Sequence, residues 1–202
     1  MPGLPGVQRK TLILDAAQQL FSAKGYQATT IEDILAETGI AKGTLYYHFR
    51  NKEAIMDAII ARTADAIVAR AEVVVASEVS PEEKVVGVIR SARVTDATPE
   101  VIADLHSPEN SAFHIRSVLY TVRRLAPVLA AAIAEGVRAG AFQSEQPLED
   151  AEVVLVAGFM LTDDGFFPGE SDELRRRAMG VIRAAERLLG CSPGALLTVL
   201  GG

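Results

Sequence analysis

TTIEDILAETGIAKGTLYYHFRNKE, residues 29–53, decides the fold. It reads as two short helices joined by a tight turn, followed by the start of a third. Thr30 is placed as an N-cap, and Asp33, three residues on, completes a capping-box-like pattern. Ile31, Ile34, Leu35 and Thr38 form one largely apolar face. Gly39 ends that helix, because glycine takes the left-handed conformation a sharp helix–helix turn needs. Ile40 plugs the turn. A second helix, Lys42 to Phe49, buries Leu45 and Phe49 at i, i+4.

That register leaves Lys42, Gly43, Thr44, Tyr46, Tyr47 and His48 on the other faces, a set suited to a polar, anionic surface. In a helix-turn-helix the second helix enters the DNA major groove. Lys42 opens this helix, and Lys52 opens the next one after the cap Asn51. A cation in a first helical turn opposes the helix dipole, so fold stability asks for no lysine at either place, whereas a phosphate does. Lys42 and Thr44 are the candidates for base edges. Thr29, Thr30, Tyr46, Tyr47, His48 and Lys52 are the candidates for phosphates, with Gly43 lying between the two base-edge residues.

TTIEDI, the glycine-hydrophobic turn, KGTLYYHF and NKE, preceded by an amphipathic helix, together resemble the TetR family of bacterial transcriptional regulators. The likeness runs through one block of about 45 residues, far more specific than a lone short motif. It implies a homodimer, an N-terminal DNA-binding head and a larger all-helical body that binds a small effector. Two positions depart from the family pattern. Leu35 stands where a small residue is usual, and Ala41 stands where Ser or Thr usually caps the recognition helix. Loss of that cap costs about 0.5–2 kcal/mol of local stability.

The chain has 202 residues and a formal net charge of -6, which argues against a protein that coats nucleic acid indiscriminately. Residues 1–52 hold six Lys/Arg (Arg9, Lys10, Lys24, Lys42, Arg50, Lys52) against four Asp/Glu (Asp15, Glu32, Asp33, Glu37), a surplus of two positive charges. The remainder holds 14 basic and 22 acidic residues. A mildly positive head on an acidic body turns one end toward DNA. Tryptophan is absent and Ala, Val, Leu and Ile dominate, favouring helices. A single cysteine, Cys191, fits a reducing cytoplasm. The N-terminus lacks the apolar core of a signal peptide, and the apolar runs near 125–134 and 153–161 are too short to span a membrane. No cofactor is expected.

The fold expected is all-α, with about nine helices: a helix-turn-helix head over residues 1–52 and an effector-binding and dimerisation body over residues 53–202. The first helix runs from about Val7 to Lys24. Arg9 and Lys10 at its start read equally as DNA contacts or as solvated charges. The helix opening at Asn51 continues to about Ala76, long enough to link head and body rigidly. Pro at a first helical position then marks several starts. Ser80-Pro81 opens one helix, and Thr98-Pro99 a short one ending near His106. Ser107-Pro108-Glu109 opens a long one to about Val137, and Pro147 one to about Asp164. Ser171-Asp172-Glu173 opens the last, to Leu189. Pro127 should kink the long helix near Arg123. The tail from Cys191 is apolar in ALLTVL, but periodicity does not place it.

The last two helices are apolar over wide faces (Val153, Val156 and Met160; Leu174, Val181 and Leu188). Monomer core and subunit interface are both open from the residues, and the resemblance implies a four-helix dimer interface. For an effector, a mostly apolar pocket with a few polar groups is expected, the candidates being Arg93, His106, Phe113, His114, Ser117, Tyr120, Phe159 and Asp163. His106, Glu109 and His114 bracket Pro108 and, with Asp163 or Asp164, would supply nitrogen and oxygen metal ligands. Their spacing fits no strict motif.

These readings lead to a repressor released from a near-palindromic operator by a small molecule. The alternative is a DNA-binding adaptor of the same fold that acts through a protein partner. An enzyme is the weakest reading, for want of a phosphate loop, a nucleophile elbow, a paired-carboxylate motif or an activated thiol.

Overall fold

The computed structural model describes residues 6–92 and 111–201. Among these residues there are nine helices and no strand: α1 (Gly6–Lys24), α2 (Ile31–Thr38), α3 (Lys42–His48), α4 (Lys52–Val75), α5 (Pro81–Ser91), α6 (Ser111–Arg138), α7 (Pro147–Leu161), α8 (Ser171–Leu188) and α9 (Ala195–Gly201). The all-α expectation is borne out. The composition of the set differs from the expected one. The helix expected from Thr98 to His106 and the start at Ser107-Pro108-Glu109 lie outside the described residues, while the unplaced tail forms α9.

The described chain forms two compact units. The first holds residues 6–63 with 111–114, and the second holds residues 64–92 with 115–201. Helices α4 and α6 each contribute to both. At 24 residues, α4 is about 36 Å long.

The helix-turn-helix stretch folds as its local chemistry dictates. The Thr30 hydroxyl accepts from the Asp33 amide at 3.1 Å, and the Asp33 carboxylate accepts from the Thr30 amide at 2.7 Å. Gly39 ends α2 at φ 65°, where a side chain would be strained. Ala41 gives α3 no side-chain cap. Asn51 caps α4 by accepting from the Ala54 amide at 2.8 Å. Ile13, Leu14, Ala17, Phe21, Ile34, Leu45, Phe49, Ile55, Ile59 and their neighbours make one core, with Phe113 packed against it.

In the second unit, α5 starts with a full capping box between Ser80 and Glu83. Its Lys84 is buried and reaches both carboxylate oxygens of Glu135 on α6, at 2.7 and 2.9 Å. Gly136 is required by close approach, since a Cβ there would collide with the Phe142 ring. Helix α6 stays helical through Pro127. From Phe113 to Arg138 it is long and apolar enough, by length and composition, to cross a membrane, which the shorter runs read in the sequence had not indicated. Val118, Val122, Leu125, Leu129 and Ile133 instead place it in the core of this unit, with Val85, Val88, Leu155, Leu189 and Leu196.

Besides the burial of Leu196 in this core, two distant side chains hold the tail. Glu186 on α8, almost fully buried, accepts from the amides of Gly194, Leu196 and Leu197 at 3.0, 3.0 and 3.4 Å. At the other end Arg90 donates to the carbonyls of Val199 and Leu200, at 3.3 and 2.8 Å. A seven-residue helix is marginal by itself. These contacts satisfy backbone groups at both of its ends.

Candidate nucleic-acid interface

Helix α3 turns Leu45 inward and holds its polar residues outward. Tyr47 is 85% exposed and Tyr46 is 46% exposed. Large aromatic side chains left this open in a domain with a complete core are available for contact with a partner. Lys42 and Gly43 are exposed, and Thr44 and His48 half-buried. A Cβ at Gly43 would meet nothing, so packing does not demand glycine there, and its absence leaves the backbone open to approach. The Tyr47 and His48 rings meet edge to face at 5.1 Å, which orients both.

Lys42 is engaged. Its ammonium donates to Glu32 Oε1 on α2 at 3.1 Å and lies 6.0 Å from the Tyr46 ring centre. The hydrogen bond with Lys42 lowers the pKa of the Glu32 carboxyl, and the same bond raises that of Lys42. Sequence reading passed over Glu32. The available signal was an acid and a base on the opening turns of two helices joined by a three-residue turn.

Two of the candidate phosphate contacts sit differently from expectation. Thr29 is fully buried, and its hydroxyl donates to the carbonyls of Gly25 at 2.7 Å and Leu20 at 3.3 Å, so as folded it presents no side chain to solvent. Lys52 is half-buried, and its ammonium donates to the carbonyls of Tyr26 at 2.6 Å, Thr29 at 2.7 Å and Gln27 at 3.3 Å. It also lies 4.3 Å from the Tyr26 ring centre. Contrary to expectation, the fold does use a lysine at this position, because the carbonyls of the loop between α1 and α2 accept from it. Burial lowers its pKa from the ordinary lysine value. Thr30 remains exposed, with its hydroxyl held by Asp33 at 2.6 Å. Asp33 in turn is ion-paired with Lys24. Lys24, then Thr30, hold its carboxyl well below the usual carboxylate range.

The candidate effector residues fall into separate places. Arg93 and His106 lie outside the described residues, as does Glu109. Phe113 and His114 belong to the first unit, where Phe113 meets the Tyr26 ring at 4.4 Å and His114 is buried. Ser117, Tyr120, Phe159 and Asp163 belong to the second unit. Phe159 packs on its core, and Tyr120 is exposed. A cleft of about 230 Å³ in this unit is lined by other residues, among them Arg183, Arg187, Cys191 and Leu197. Among the described residues no three His, Cys, Asp or Glu side chains stand together as a metal would need.

Comparison with known proteins meets this geometry at both ends of the chain. Residues 13–59 match the profile of bacterial regulatory proteins of the tetR family, and residues 93–180 match a tetracyclin repressor-like C-terminal domain. The transcriptional repressor KstR2 of Rhodococcus jostii is 30% identical over 147 residues, 70% of this chain and 71% of that one. A TetR/AcrR-family regulator from Thermobifida fusca is 27% identical, with a TM-score of 0.61 over 88% of this chain and 96% of its own. A tetR-family regulatory protein from Rhodococcus RHA1 is 25% identical, with a TM-score of 0.56 over 91% of this chain and 97% of its own. All three are regulators by description. With a capped α2, a glycine turn and an outward-facing α3 inside the first matched segment, the chain belongs to the TetR family of DNA-binding transcriptional regulators.

Proposed function

We propose that the protein is a homodimeric repressor that holds a near-palindromic operator through two copies of α3 and is released by a small-molecule effector. The observation that carries this reading is the exposed face of α3, where Lys42, Tyr46 and Tyr47 stand clear of a finished core. Two such helices, presented by a two-fold pair, read half-sites about 34–36 Å apart in the simplest spacing. Lys42 and Thr44 take base edges. Thr30, Tyr46, Tyr47 and His48 take phosphates, with Gly43 admitting the backbone between them. Lys52 takes a phosphate only by giving up a carbonyl, so its first duty is to hold the loop that carries Thr29 and Thr30. The working division places the DNA-binding head in residues 1–52 and the effector and dimer functions in residues 53–202. The setting is the cytoplasm, where DNA is met.

For dimerisation the support is α7. Ala151, Val154 and Leu155 face the core, while Val153 is 57% exposed, with Leu148 and Val156 also open. For repression the support is the relative's description as a repressor. The effector candidates of the second unit are Ser117, Tyr120, Phe159 and Asp163. An effector that favours the splayed dimer by about 1–3 kcal/mol releases operator roughly 5–150-fold.

The test is binding of purified protein to duplexes selected from a randomised library, with mass in solution measured by light scattering. A dimer that prefers the selected duplex over random DNA and over heparin supports the reading. A strict monomer, or equal binding to every polyanion, ends it.

A further inference from the structure

The pair formed by Glu32 and Lys42 adds little to folding beyond the weak dipole contribution of an acid in the first turn of α2. Glu32 is the second residue of α2 and Lys42 the first of α3, and their side chains are 69% and 61% exposed. Exposed ion pairs contribute little to stability. An acidic side chain beside the first residue of a DNA-reading helix also works against the duplex charge, in a head with a surplus of only two positive charges. The fold places an acceptor and a donor next to each other, 3.1 Å apart, at the entrance to the recognition helix.

We propose that Glu32 is a specificity-determining residue, whose carboxylate accepts from the exocyclic amino group of a cytosine while Lys42 donates to a guanine of the same or the adjacent pair. In the major groove guanine offers O6 and N7 as acceptors and cytosine offers N4–H₂ as a donor, and a carboxylate accepts from the latter. The Lys42 bond holds the carboxylate charged and aimed. Where neither a cytosine nor an adenine amino group stands opposite, Glu32 faces phosphates and acceptor atoms with nothing to accept from, and the duplex is repelled; the guanine bound by Lys42 is what selects cytosine over adenine. The same residue therefore reads a base and suppresses binding to other sequences. This inference rests on the reading of α2 and α3 as the DNA-binding motif.

The experiment compares the full-length parent with Glu32→Gln and Glu32→Ala. Each protein selects duplexes from a randomised library. Fluorescence anisotropy then follows binding to the parent's selected duplex and to a random-sequence duplex across a salt series. Circular dichroism verifies that the variants fold, which their exposed position allows. The expected result is that both variants bind random duplex several-fold tighter, and that the logarithmic salt dependence steepens by about one. One cytosine preference per half-site should be lost. Variants that recover the parent's sequences with the parent's ratio of selected to random binding overturn the role of Glu32 and leave the DNA-binding reading standing. A parent that recovers no sequence overturns both.

Discussion

The Lys52 ammonium lies 2.7 Å from the carbonyl oxygen of Thr29, so the first residue of α4 is tied to the residue before the α2 cap. The same ammonium holds Tyr26 O at 2.6 Å and rests on the Tyr26 ring. A residue expected to serve DNA is thus already serving the segment that aims α2.

Lys52→Met keeps the length of the stem and removes the three hydrogen bonds. Hydrogen bonds to charged groups are worth about 1.5–3 kcal/mol each when buried and less when half-exposed. The expected loss of stability is about 1–3 kcal/mol in urea unfolding, with DNA affinity falling for selected and random duplexes alike. An unchanged unfolding midpoint alongside a flattened salt dependence would return Lys52 to a purely phosphate-binding role.

Asp33 should make the head sensitive to acid. The Lys24 ammonium first, and the Thr30 hydroxyl and amide next, hold its carboxyl well below the ordinary value. The folded state therefore binds the proton less readily than the unfolded chain. The stabilisation is complete above the unfolded value of about 3.9 and is lost as pH falls toward the depressed folded value. Asp33→Asn should lower the thermal midpoint at pH 7 and flatten its decline below about pH 4, as followed by circular dichroism. Equal pH slopes in the two proteins would assign the acid sensitivity elsewhere.

Glu186 should be the anchor of the C-terminal helix. Replacing it with Leu leaves the amides of Gly194, Leu196 and Leu197 without their acceptor. The expected cost is about 1.5–3 kcal/mol, with early proteolytic cleavage near Gly194. Arg90→Gln, which loses two carbonyl contacts nearer the surface, should give a smaller effect in the same direction. A tail as resistant to protease as the parent's in Glu186→Leu would remove the anchor.

Val153→Glu tests the dimer without disturbing the monomer core, because the side chain points away from it. Surface substitutions of this kind change monomer stability by about 0.5 kcal/mol or less. The variant should be monomeric by light scattering and should lose most of its operator affinity while binding random DNA weakly. A variant that remains dimeric would place the interface elsewhere.

Tyr47→Ala should leave the thermal midpoint unchanged, since the ring is 85% exposed. Its affinity for the selected duplex should fall at least several-fold, measured by anisotropy. A fall in stability without loss of binding would mark Tyr47 as a packing residue.

The helix-turn-helix was legible because its signals are local. Thr30 with Asp33, Gly39, and Leu45 with Phe49 each act within one or two helical turns, so residue order alone reveals them. The intramolecular partners of Thr29 and Lys52 were less legible. The Thr29 hydroxyl turns back to the carbonyls of Gly25, four positions away, and Leu20, nine away, across a loop with no helical period to reveal it, while the carbonyls that take Lys52 lie 23 to 26 positions away and come close only in the folded head.

Sequence by itself determined the helical class, the caps, the turn and the outward face of α3, because hydrophobic period and capping chemistry are written in neighbouring residues. Tertiary structure alone decided that Glu32 stands against Lys42, that Lys84 is matched by Glu135, and that an apolar tail becomes α9 between Glu186 and Arg90. Those outcomes depend on side chains 10 to 110 positions apart meeting once the cores have formed. Polar groups, whether buried like Lys84 and Glu186 or exposed like Glu32 and Lys42, take the partner the packing brings within reach.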